Sequence, residues 1–146
     1  MQKLSNVSAI YCQKENKLVM KQEHKELLLR DLCARLPYGI KASYYGADEE
    51  CETWDEVDGI AFGYVEIGQY SLPIERIKPY LFPMSSMTDE QKVIYGDLCY
   101  SVIQSLDKNM QSELNELIDW LNAHHFDYHG LIPMGLAIDA TGLNIY

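Results

Sequence analysis

The sequence predicts an α+β fold: one N-terminal helix, a small antiparallel sheet of about three strands, a C-terminal helical hairpin and an irregular apolar tail. Three observations lead there. Apolar residues follow the helical period near residues 29–36, 95–106 and 114–121. Between 39 and 72 the pattern changes to β-branched and aromatic residues punctuated by glycine. No helical stripe interrupts those strand-like runs, so helices and strands are segregated along the chain. With 146 residues, the chain has the length of one domain, and a domain of that size buries about two-thirds of the surface its unfolded chain exposes.

Residues 1–22 are the hardest to read, with "SAIYC" and "KLVM" as two short strand-like runs around "QKENK"; the domain proper is assigned to residues 23–146. In "HKELLLRDLCARLPYG", Leu29, Leu32, Cys33 and Leu36 recur at i, i+3, i+4 and i+7, the stripe of an amphipathic helix that Pro37 and Gly39 stop. "GIKASYY" reads as a strand and "GADEECETWDE" as a polar connection. "VDGIAFGYVEIGQYSL" completes the sheet, with Gly63 and Gly68 marking turns or bulges. The proline-rich "PIERIKPYLFPMSSM" is expected to cross the surface as a partly extended arm pinned by Ile77, Tyr80, Leu81 and Phe82. Thr88 and Gln91 have the T-x-x-Q form of a capping box, opening a helix with Tyr95, Leu98, Cys99, Val102 and Leu106 on its stripe. Gly96 inside it costs about 1 kcal/mol against alanine. A further helix from about Met110 carries Leu114, Leu117, Ile118 and Leu121. The tail "GLIPMGLAIDATGLNIY" should be a loop, with room for one short strand, docking on the core.

The net charge is −10, unevenly spread: +4 over residues 1–45, −8 over 46–66 and −6 over the remainder. Such a field repels phosphates, so direct nucleic-acid binding is not expected and a basic partner protein fits better. Cys12, Cys33, Cys51 and Cys99 contain no CxxC pair, which excludes zinc ribbons and fingers. With no secretory-type apolar run at the N-terminus and no segment near the ~20 apolar residues of a membrane helix, a cytoplasmic protein with reduced thiols is expected. No Gly-rich phosphate loop is present, and no cofactor is expected.

Two clusters carry candidate chemistry. "HHFDYHGLIP" brings three histidines and an aspartate together. His125 and His129 have the i, i+4 spacing of two metal ligands, with Asp127 as a third, if the helix continues; this is the metal-binding or metal-dependent hydrolase alternative. Asp127, Gly130 and Pro133 argue that the helix has ended there, and then His124 and His125 would cap its last carbonyls. The second cluster, "DEECETWDEVD", places seven acids in eleven residues around Trp54. It reads as a solvated connection or an acidic contact surface, with Trp54, Glu49, Glu50, Asp55 and Glu56 as contact residues, joined by Tyr44 and Tyr45. Cys33 and Cys99 on apolar stripes read as small core residues.

At "DLCARLPYG", "IKPYLFPMSSMT" and "WLNAHHFDYHGL", within roughly residues 25–140, the chain resembles a family of short uncharacterised proteins associated with gut Bacteroidales genomes and their phages or mobile elements. The resemblance implies a cytoplasmic bacterial or phage context and carries no catalytic residues with it. Together the residues favour a small non-enzymatic module that binds another protein. Besides the metal alternative, the charge leaves an acidic nucleic-acid mimic, which requires a continuous carboxylate face.

Overall fold

The computed structural model describes residues 20–45, 52–106 and 109–146. Helix α1, Gln22–Arg35, continues into a 3-10 turn, Leu36–Tyr38, that ends at Gly39 with φ of 69°. A left-handed residue at that point suits glycine, which has no Cβ to clash. The buried row of α1 is Leu28, Asp31, Leu32 and Arg35. The expected stripe is thus displaced by one residue, and Cys33 is exposed rather than part of the core. The cause is a charged pair on the inner face, described below.

The expected three-stranded sheet is overturned. Six strands form one mixed sheet: β1 Lys41–Tyr45, β2 Glu52–Ala61, β3 Tyr64–Ile67, β4 Tyr70–Pro73, β5 Ile77–Leu81 and β6 Ile138–Asp139, in the order β4-β3-β2-β1-β5-β6. Neighbours are antiparallel except β5 and β6, which are parallel. The α+β class fits, and three segments account for the larger sheet. Glu52–Glu56, expected in a polar connection, is the first half of β2, with Trp54 opposite Ser43 and Glu56 opposite Lys41. The proline-rich arm contains β5, paired to β1 through Ala42 and Pro79. Proline argues against an interior strand because it lacks an N–H. Here the β6 ladder begins only at Tyr80, so at Pro79 that side of β5 is still an edge. The tail supplies β6, two residues long.

One face of the sheet packs on α1 through Leu28, Leu32, Ile40, Ala42, Val57 and Ile77, among others. The tail folds over the other face, where Ala140 and Ile145 meet Tyr80. Helices α2, Asp89–Gln104, and α3, Met110–Ala123, pack against each other beside this body, with Met87, Leu121 and Phe126 at their junction. At Thr88 the capping box is complete: the Gln91 N–H donates to Thr88 Oγ1 at 3.1 Å, and the Thr88 N–H donates to Gln91 Oε1 at 2.9 Å. No helix among the described residues is long and apolar enough to cross a membrane.

Candidate interaction face and the histidine segment

The histidine segment begins where α3 stops. His124 is the C-cap: its backbone N–H donates to Trp120 O at 3.1 Å, and its ring Nδ1 lies 2.8 Å from the same carbonyl, adding a second partner to that oxygen at the helix end. His125 follows with φ of 59°. Its N–H donates to Asn122 O at 3.1 Å, and the Phe126 N–H donates to Leu121 O at 3.0 Å. That pair of bonds is a Schellman closure with histidine in the left-handed position that glycine usually occupies. A Cβ there is strained by roughly 1 kcal/mol, so the imidazole must recover that cost in contacts. Its ring stacks on Tyr146 at 3.8 Å between centroids, interplanar angle 13°.

Beyond the cap, the chain is zipped to the end of β5. The Phe82 N–H donates to His125 O, and the Asp127 N–H donates to Phe82 O, both at 2.8 Å. The Asp127 carboxylate then accepts from the Leu131 N–H at 2.8 Å and the Ile132 N–H at 2.9 Å, closing the turn through Gly130. His129 points elsewhere, with Nδ1 2.9 Å from Asp31 Oδ1 on α1. Since a carboxylate can only accept, Nδ1 carries the proton and the tautomer is fixed. His125, Asp127 and His129 therefore do three separate jobs. Among the described residues no three His, Cys, Asp or Glu side chains converge on a point that could hold a metal ion.

Asp31 joins this segment to α1. Arg35 Nε and Nη2 donate to its two carboxylate oxygens at 2.8 and 3.0 Å, and Nη2 also donates to Phe126 O at 2.7 Å. Both side chains are fully buried. Desolvating two charges costs several kcal/mol each, and these bonds offset it only in part, since Arg35 Nη1 is buried with no hydrogen-bond partner among the described residues. The Tyr128 ring covers the guanidinium at 5.1 Å. Burial first, and then the Arg35 charge, push the pKa of His125 down from 6.5 to about 4, so its ring is neutral at pH 7. Nothing in the sequence marked Asp31 and Arg35 beyond two charges at i, i+4 flanking an apolar stripe.

The other candidate lies on the outer face of the sheet, the one facing away from α1. Strand alternation sends Lys41, Ser43, Trp54 and Glu56 to this side. Trp54 is 45% exposed, and the Lys41 ammonium sits 5.2 Å from its ring centroid and 5.6 Å from that of Tyr146. Tyr146 is held by its hydroxyl, which accepts from the Lys41 N–H at 3.0 Å and donates to Tyr80 O at 2.9 Å. Burial of that end raises its pKa well above the usual phenol value. Ser43 Oγ donates to Glu52 Oε1 on the same side.

Of the expected contact residues, Trp54 and Glu56 lie on this face and are exposed. Asp55 alternates to the opposite side, where it approaches Tyr44 and Gly68. Tyr44 is a core residue, its hydroxyl pKa raised by burial and then by Asp55. Tyr45 is half-buried at the end of β1, its carbonyl accepting from Arg76 Nη2. Glu49 and Glu50 lie outside the described residues. Among the described residues the carboxylates are divided between interior and surface: Asp31 and Asp127 are buried, Glu75 pairs with Lys25, and Lys41 stands opposite Glu56. No protein-family model, curated protein or solved structure matches the chain.

Proposed function

We propose that the protein is a small non-enzymatic protein-interaction module, working in the cytoplasm of a bacterium or in the setting of a phage or mobile element, that engages another protein through the outer sheet face around Trp54. The observation that carries this reading is the half-exposed Trp54 ring, whose neighbouring Lys41 ammonium also approaches the Tyr146 ring. A large ring fixed by strand pairing and neighbouring charge loses little freedom on binding, and Trp and Tyr dominate binding energy at interfaces. Glu52 and Glu56 on the same side favour a partner with basic groups at the rim.

Affinity capture from a bacterial lysate tests it, with the full chain as bait and Trp54→Ala beside Trp120→Phe as a control on α3. A specific partner should be retained by the control and weakened on Trp54→Ala by about 2 kcal/mol, roughly 30-fold. Equal capture by wild type and Trp54→Ala, both folded by circular dichroism, would sink the proposal.

A further inference from the structure

On α2 the inner and outer sides are both apolar. Tyr95 faces inward and stacks with Trp120 of α3. On the outside, Val93, Gly96, Tyr100 and Ile103 recur at i, i+3, i+7 and i+10, one row along the helix at 100° per residue. Val93, Tyr100 and Ile103 are 63%, 63% and 61% exposed. Not one residue of α2 is fully buried. Gly96 sits in the middle of the row, and a Cβ placed on it meets nothing within 4 Å. The fold itself therefore gives no steric reason for a glycine that weakens the helix by about 1 kcal/mol. A missing side chain at the centre of an apolar row is useful when another backbone approaches there. Glu90 and Asp97 run along one flank of the row on the helical wheel, and both are exposed.

We infer that this outer face of α2 receives an amphipathic helix of a partner protein, whose apolar side lies against Val93, Tyr100 and Ile103, whose backbone comes closest at Gly96, and whose basic residues meet Glu90 and Asp97. The alternating three- and four-residue steps of this row are the spacing of a helix–helix seam. A second copy of this chain is a poor occupant, since it would bring the same acidic flank and a net charge of −10 to the contact. The surface is separate from the Trp54 face, and the inference does not rest on that reading.

The probe is a labelled 18-residue amphipathic helix built only of leucine and lysine, with a leucine/glutamate peptide of the same pattern as control, titrated with the full chain by fluorescence anisotropy. The Leu/Lys peptide should bind and the Leu/Glu peptide should not. Gly96→Leu, which leaves the charge unchanged and favours the helix, should weaken binding about tenfold, equivalent to ~1.4 kcal/mol. Tyr100→Glu separates the proposal from simple charge attraction: added negative charge alone would tighten the Leu/Lys peptide, whereas loss of the apolar row weakens it. Unchanged affinity in Gly96→Leu, tighter binding in Tyr100→Glu, or equal binding of the two peptides overturns the inference. So does a concentration-dependent dimer, by sedimentation equilibrium, that Gly96→Leu dissolves.

Discussion

Asp31 and Arg35 occupy positions on α1 that leucines would fill in an ordinary amphipathic helix. Their pairing makes a charged buried row possible, and it ties α1 to the carbonyl of Phe126 and to the ring of His129. Asp31→Ala strands a guanidinium without its counter-charge and should destabilise the fold by about 3–5 kcal/mol. Asp31→Leu with Arg35→Met removes both charges at once and should cost less than Asp31→Ala alone. Urea titrations of the three proteins decide this; a double variant at least as unstable as the single would show that the charges themselves are required. His125 makes a second, pH-dependent contribution. Its pKa is 6.5 as an ordinary group and about 4 in the fold, so between those values the unfolded chain takes up a proton that the folded chain declines. Stability should therefore be complete above about pH 6.5 and be lost as pH falls toward about 4. In denaturation series from pH 7 to 4, wild type should lose more stability than His125→Phe, which keeps an aromatic ring on Tyr146. Parallel loss in both proteins would refute the assignment.

The elements differ in how openly their sequences announce them. At α2 a local signal suffices, because Thr88 and Gln91 bond each other's backbones within one turn. Thr88→Ala should cost about 1 kcal/mol, read as a lower urea midpoint with unchanged slope, and Thr88→Ser should recover most of it. No loss in Thr88→Ala would mean the cap is redundant. The apolar stripe of α1 announces a helix, yet not its orientation, since rotation by one residue exchanges Cys33 for Asp31 on the inner side. β2 and β5 were hidden for opposite reasons. Glu52, Asp55 and Glu56 suggest a solvated connection, but alternation places Glu52 and Glu56 on the outer face and Asp55 on the other, and pairing needs only their backbones. Pro79 suggests an interruption, but the chain uses it where β6 has not yet begun.

For the whole molecule, the decisive feature is that the tail closes the outer face of the sheet. Tyr146 reaches back to Lys41 and Tyr80, and the Lys41 ammonium donates to Ile145 O at 2.9 Å. Tyr146→Phe keeps the ring against His125 but loses both hydroxyl bonds, and should cost about 1 kcal/mol. Amide exchange should then accelerate at Lys41 and in residues 138–145 before it changes in α1; uniform acceleration would mean that the tail does not open as a separate unit. The candidate contact face was legible only in part. Trp54 was recognisable as an aromatic among acids, but Lys41 and Tyr146 beside it lie 105 residues apart, and Tyr44 is core because it alternates inward with Val57.

By itself the sequence determined the α+β class, the two capped or proline-stopped helices, an end to α3 ahead of the Asp127–Pro133 run and the surplus of acid, because periodicity, capping and turn preferences act over a few residues. Only the tertiary structure decided which charges are buried, that the sheet has six strands, and that three neighbouring histidines serve three different partners. Those outcomes depend on contacts such as Arg35 with the Phe126 carbonyl, 91 residues away. A carboxylate or an imidazole takes its role from whatever the fold places opposite it, and no local pattern specifies that neighbour.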